Sequence, residues 1–204
     1  MTEYRDSEYA HAYLAIQDAV PQREVGERVL AELLPGQTRR VLDLGCGDGR
    51  LLDVVRSRFS QVEGVALDAS EPMLEAARTR FAGRPGVRVA WHDLNDPLPD
   101  LGTFDAVVSG FAIHHLPHER KRALYAEICA CLAPGGVFLN LEHVASVNER
   151  EHARFLALLG GDEDPSNRLA PAWAQVAWLR EAGFAEADVA WKWLELALLV
   201  GWVG

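Results

Sequence analysis

Cysteine is scarce in this chain of 204 residues: there are three, and an odd number cannot all pair. Cys46 stands alone, and Cys129 and Cys131 fall within one predicted helix. That pattern supplies neither a disulfide frame nor a zinc ligand set, so no metal is expected and a reducing compartment fits. Positive charge is also thin. Lys and Arg total 20 against 30 Asp and Glu, for a net charge of −10, and the basic residues form no block. The electrostatic footprint of a nucleic-acid binder is therefore missing, although a local patch can hide in an acidic total. The acidic balance reads mainly as solubility. No apolar run reaches the length of a membrane span. Residues 1–20 carry Glu3, Arg5, Asp6 and Glu8 where a secretion signal would need an apolar core. Internal repeats and low-complexity linkers are absent too. These exclusions lead to the expectation of a cytoplasmic chain with no membrane partner, folded as one domain over 1–204, a length sufficient for a single α/β core.

What the chain does have is concentrated at Val41-Leu42-Asp43-Leu44-Gly45-Cys46-Gly47-Asp48-Gly49-Arg50. Arg39 to Leu44 is a short, mostly apolar run after Pro35-Gly36, as expected of a strand covered on both faces. Glycines then alternate at 45, 47 and 49, and Leu51, Leu52, Val55 and Phe59 follow at helical spacing. Strand, glycine turn and helix in that order present free N–H groups to a ligand and let backbone approach it closely. A dinucleotide fingerprint would read G-x-G-x-x-G, and a phosphate loop would end in Gly-Lys-Ser/Thr. Here the pattern is G-x-G-x-G, with Asp43 before it and Asp48 inside it. Two acids disfavour a pyrophosphate and suit a cationic group. The alternatives left open are a bare strand-to-helix connection and a nicotinamide or flavin domain.

The string D-L-G-C-G-D-G resembles motif I of the class I S-adenosylmethionine (AdoMet) dependent methyltransferases. So do the F-D pair opening Phe104 to Ser109, the L-x-P-G-G-x-F piece at Leu132 to Phe138, and W-L-R-E-A-G-F at 178–184. The resemblance is strong over 39–142 and loose over 173–204. It implies a Rossmann-like, doubly wound α/β domain with a seven-stranded sheet, mostly parallel with the last strand antiparallel. It also implies methyl transfer from AdoMet, working as a monomer or homodimer. The donor would be held by Asp43, Gly45, Cys46, Gly47, Asp68, Ala69, Met73, Asp93, Leu94 and Gly110. Geometry agrees for Asp68: one helix and one return strand after Gly49 bring it to the same edge of the sheet, where a carboxylate can accept ribose hydroxyls. Asp93 resembles the acceptor of the adenine amino group, Leu94 supplies a backbone N–H to the ring, and Met73 packs on it.

Around this frame the periodicity predicts two N-terminal helices. One runs along Tyr9, Tyr13, Ile16 and Val20, the other along Val25, Val29 and Leu33. They make residues 1–38 an N-terminal extension. Ser70 is expected to cap a helix whose inward stripe is Met73, Ala77 and Phe81. Residues 144–171 read as a lid-like insertion, and Leu196 to Val203 as the partner of a strand over Val189 to Trp193, with no turn residue between them. The acceptor side is expected at Gly110 to His115 and Glu142-His143. His115, His114 and His143 are candidate bases, since histidine titrates near neutrality. His115 is preferred over His114 by resemblance, and an extended backbone would turn only one of the pair toward the donor. A roofed pocket with few basic residues suits a small-molecule acceptor. A tRNA or rRNA methyltransferase, a non-catalytic AdoMet-binding protein and a nicotinamide oxidoreductase remain as alternatives.

Overall fold

The computed structural model describes residues 20–161 and 164–204. The first predicted helix, up to Ala19, lies outside them. The described elements are α1 (Arg23–Leu33), β1 (Arg40–Leu44), α2 (Arg50–Arg58), β2 (Glu63–Asp68), α3 (Glu71–Arg80), β3 (Val87–Trp91) and β4 (Phe104–Gly110). A 3-10 turn (Ile113–His115) follows, then α4 (His118–Cys131), β5 (Leu132–His143), α5 (Glu149–Leu159), α6 (Ala172–Glu181), β6 (Glu186–Trp193) and β7 (Leu196–Trp202). The strands form one sheet in the order β3-β2-β1-β4-β5-β7-β6. Pairing is parallel from β3 through β5, while β7 runs antiparallel to both β5 and β6. The fold is the expected seven-stranded, mostly parallel α/β sheet.

Alternation along the central strands divides the core between two faces. Leu42, Leu44, Phe138 and Leu199 face one cluster with Tyr125 and Ile128 of α4 and Leu179 of α6. Val41, Leu139, Leu141 and Leu198 face the other, with Leu30 of α1, Leu52 and Val55 of α2, and Leu74 of α3. Successive side chains on a strand point to opposite faces, so a buried strand must be apolar on both.

Two local expectations change. The stripe of α1 that packs inward is Arg23, Gly26, Glu27 and Leu30, not Val25, Val29 and Leu33. The reason is close contact: a Cβ on Gly26 would stand 2.6 Å from Leu141 Cδ1, so only glycine lets the helix settle there. Glu27, buried with it, accepts from Arg23 Nε and Arg50 Nε, each at 2.8 Å. Ser70 does not cap α3 with its side chain. Its N–H instead donates to Asp68 Oδ1 at 2.8 Å, bending the chain at the end of β2. The β6–β7 hairpin forms without a glycine because Leu194 takes the turn at φ 50°, with Val144 N–H donating to Glu195 O at 2.7 Å to hold it.

β1 and β4 lie side by side, with Leu44 opposite Ser109. The turns that follow them therefore meet. Gly45 has φ +66°, and a Cβ there would stand 2.2 Å from Ala112 Cβ. Gly47 also has positive φ, +54°, but a Cβ on it would meet nothing within 4 Å. Gly45→Ala is expected to cost the left-handed strain of about 1–2 kcal/mol plus about 1–3 kcal/mol of overpacking. Gly47→Ala should cost the strain alone. Urea denaturation of both variants checks this, and equal losses would refute the close-contact account.

Candidate functional site

The turn after β1 is shaped from below by Asp43 and from the side by Asp68. Asp43 is fully buried, and its Oδ2 accepts from Leu52 N–H at 3.2 Å in the first turn of α2. Its Oδ1 has no hydrogen-bond partner. Burial, opposed by the Leu52 bond and reinforced by the charges of Asp68 and Asp48, pushes the Asp43 carboxyl up to about 8. Asp68 Oδ2 accepts from Gly47 N–H at 2.9 Å, so one carboxylate spans the turn and the start of the next helix. Burial raises Asp68 as well. Asp48 does not add a bare negative charge, since its Oδ2 is bonded by Arg80 Nη2 and its carbonyl accepts from Arg80 Nε at 2.8 Å. The expectation of two anionic acids facing a cation is corrected accordingly. Asp43 sits beneath the turn, Asp48 is matched by Arg80, and Asp68 is the partly exposed carboxylate beside the glycines.

The other expected donor-holding residues gather along the same edge. Cys46 is buried in the core, and its N–H donates to Leu67 O at 2.9 Å. Ala69 O accepts from Trp91 Nε1 at 3.0 Å, and Met73 is buried. Asp93 Oδ1 accepts from Asn95 N–H at 3.0 Å and from Asn95 Nδ2 at 2.9 Å. Leu94 is fixed through its carbonyl, which takes Arg120 Nε at 2.7 Å. Arg120 also forks onto Glu127, at 2.6 Å to Oε1 and 2.8 Å to Oε2, and Glu127 in turn receives Leu98 N–H at 2.9 Å. This clamp ties the loop after β3 to α4 across a long sequence gap that no local pattern reveals. The absent side chain of Gly110 leaves room for Leu51, whose Cδ2 would lie 3.3 Å from a Cβ.

On the acceptor side the three histidines come together, but not on an extended backbone. The 3-10 turn buries both His114 and His115, with ring centroids 3.9 Å apart. Tight turning, not strand alternation, sets their directions. The His143 ring lies 5.7 Å from that of His114. His114 Nδ1 is 2.7 Å from Oε1 of Glu142, a wholly buried carboxylate that also accepts from His143 N–H at 2.9 Å. His115 Nδ1 is 2.9 Å from Ser166 Oγ. Burial, and next the neighbouring His114, push His115 down to about 3, so its ring is uncharged at neutral pH.

Glu195, from the β6–β7 turn, is the hub of a second network. Its Oε2 meets His143 Nε2 at 2.8 Å, and its Oε1 meets His152 Nδ1 at 2.8 Å and Ser146 Oγ. Burial alone would raise this carboxyl, but the three hydrogen bonds outweigh it and hold it below the ordinary range. Lys121 is completely buried, and its Nζ donates to His114 O at 3.1 Å, Leu116 O at 2.9 Å and Arg168 O. Arg168 N–H also donates to His114 O at 2.9 Å. The histidine turn is thus sewn to residues 164–170. Lys121, Ser166 and Glu195 are the residues of these networks that sequence reasoning missed; Glu142 was expected on the acceptor side, but not as the partner of His114. Among the described residues no group of His, Cys, Asp or Glu could hold a metal ion, and no helix is long and apolar enough to cross a membrane.

Asp43 makes a sign-definite pH prediction. Its folded value of about 8 lies above the ordinary 3.8, so the folded chain binds that proton more tightly than the unfolded one. The stability it confers is complete below pH 3.8 and is lost as pH rises toward 8. Asp43→Asn should flatten that decline in the unliganded protein. Urea midpoints between pH 5 and 8 that fall equally in both proteins would count against it.

A family model described as a methyltransferase domain matches residues 41–136. An uncharacterized methyltransferase of Mycobacterium tuberculosis is 40% identical over 111 residues, which are 54% of this chain and 53% of that protein. A trans-aconitate 2-methyltransferase of Methylobacterium nodulans is 33% identical over 170 residues, 83% of this chain and 60% of that protein. Among solved structures, an O-methyltransferase family protein from Burkholderia thailandensis superposes with a TM-score of 0.79 at 20% identity, covering 98% of this chain and 61% of that one. At that identity the likeness is one of fold. The chain spans about half the length of the curated relatives it matches.

Proposed function

We propose that this chain, which belongs to the class I S-adenosylmethionine-dependent methyltransferase family, transfers the methyl group of AdoMet to a small-molecule acceptor at the edge where β1, β4 and β5 end. The observation that carries the reading is the meeting of the open glycine turn after β1 with the buried His114–Glu142 pair after β4 and β5. The empty space over Gly47 and the unpartnered Asp43 Oδ1 fit a close-packed polar ligand. Gly45, Cys46 and Gly47 would border the donor with backbone. Asp68 would accept its ribose hydroxyls, with Ala69 beside it, and Met73, Asp93 and Leu94 would enclose its adenine. Gly110 would close the far side, and Asp43 would act through the turn it supports. When bound, AdoMet supplies a methyl on a sulfonium, an excellent leaving group, so the protein's work is in-line placement.

His114 is the base of this reading. A proton on Nδ1 points at Glu142, which leaves Nε2 as the atom able to take a proton from an acceptor hydroxyl, while the buried carboxylate steadies the imidazolium that forms. His143 stands beside it as a second, Glu195-held ring. The described part of the 144–171 insertion, tied to the histidine turn through Ser166 and Arg168, would roof the acceptor. Exclusion of bulk water and the low count of basic residues favour a small molecule over a phosphate backbone.

Two measurements test this. AdoMet at 100 times its dissociation constant should raise stability by about 2.7 kcal/mol, whereas NAD should leave the melting temperature unmoved. Loss of the charged acceptor in Asp68→Ala, worth roughly 1.5–3 kcal/mol, should weaken AdoMet binding about ten-fold or more. A flat titration on cofactor-free protein would sink the reading. With an acceptor found by isotope transfer from labelled AdoMet into a metabolite extract, His114→Ala should lower turnover by about a hundred-fold or more. Glu142→Gln should lower it less. AdoMet affinity should stay within a few-fold in both, and unchanged turnover in His114→Ala would move the base elsewhere.

A further inference from the structure

We propose that Ser166, held by Asp164, is a positioning residue that locks His115 in its neutral Nδ1–H tautomer, while His114, backed by the Glu142 carboxylate, is the ring of this close pair that takes up the acceptor's proton. The consequence for turnover rests on the methyl-transfer reading above; the tautomer itself does not.

The argument is a count of protons. A serine hydroxyl has one hydrogen and two lone pairs. Ser166 Oγ gives its hydrogen to Asp164 Oδ1 at 2.7 Å, and the same oxygen of Asp164 also receives Ser166 N–H at 2.8 Å, which fixes the side chain's direction. Toward His115 Nδ1, at 2.9 Å, Ser166 Oγ can therefore only accept. Nδ1 must carry the hydrogen, and in a neutral ring Nε2 then carries the lone pair.

The neighbouring ring is arranged differently. The ring centroids are 3.9 Å apart, a distance at which two imidazolium ions repel strongly. On the His114 side a positive charge would be met directly by the Glu142 carboxylate. On the His115 side it would meet a neutral hydroxyl, with the charge of Asp164 one bond further out. Burial adds to the same preference, since it already drives His115 to the uncharged form. The other cation packed against this turn, Lys121, donates to backbone carbonyls on both sides of it and so holds both rings in place without favouring either. The result is a division of labour. One ring is backed by a carboxylate and can cycle a proton, and the other is held as an uncharged wall beside it.

Histidine-labelled protein without AdoMet, followed by long-range proton–nitrogen correlation spectra from pH 5.5 to 9, reads the tautomer directly, with His115→Gln assigning the signal. The wild-type spectrum should show one neutral Nδ1–H form throughout. Ser166→Ala should bring in the Nε2–H form or a titration, whereas Ser166→Thr, which keeps the hydroxyl, should preserve the wild-type pattern. Should Ser166→Ala fail to fold, Asp164→Ala serves instead, since it frees the hydroxyl hydrogen to turn toward His115. A wild-type His115 that is Nε2–H or becomes charged near pH 6 overturns the proposal. So does a tautomer indifferent to the loss of the hydroxyl, or a threonine variant that behaves like alanine. With an acceptor in hand, Ser166→Ala should alter the pH profile of kcat while the KM for AdoMet stays within a few-fold. Because the spectra need no methyl donor, a wrong tautomer and a wrong activity are separable outcomes.

Discussion

Two parallel strands, β1 and β4, hydrogen-bond along the middle of the sheet, and the candidate site is built on their adjacency. The topology winds outward from β1 through β2 to β3 and from β4 through β5, so the chain leaves β1 and β4 toward opposite flanks. A crevice opens where the connections part, the place where open α/β sheets bind ligands. Here the two turns almost touch, since only a hydrogen at Gly45 accommodates Ala112. The glycine turn and the turn after β4 are therefore packed against each other at one crevice.

Around that contact the protein places polar groups where an apolar core would be easier to build. Asp43, Lys121, Glu142 and Glu195 are all essentially without solvent exposure. Each shapes a turn. Asp43 holds the start of α2. Lys121 gathers carbonyls from the histidine turn and from residue 168. Glu142 aims His114, and Glu195 draws His143, Ser146 and His152 to the β6–β7 turn. Buried polar groups are costly unless satisfied, and a satisfied network specifies a single arrangement. The cost is concentrated at the end of the sheet where the glycine turn and the histidine turn meet.

The strands, the glycine turn and the approach of Asp68 were legible because each rests on local chemistry: unbroken apolar runs, alternating glycines, and the fixed span of one helix plus one strand. The inward face of α1 was not. Its periodic valines lie at the margin, while a glycine and an ion pair take the interior, because close approach to Leu141 and a charge on Arg50 outrank hydrophobicity there. The β6–β7 pairing was legible from strand alternation, but its turn was not: Leu194 adopts the positive φ that glycine usually supplies, and strand pairing on both sides compensates it.

The sequence by itself determined the class of fold, the edge of the sheet where the glycine turn lies, and the residue types available there, since these depend on composition, period and short-range spacing. What distinguishes His114 from His115 was decided only by tertiary structure. His114 and His115 are neighbours with the same side chain, and nothing local separates them. What separates them is what stands behind each ring: Glu142 brought by β5 for one, Ser166 and Asp164 brought by the segment after α5 for the other. Those partners lie 28 and 51 positions away in the chain. Contact at that range is set by how the whole sheet and its coverings pack, not by any pattern a local reading can carry.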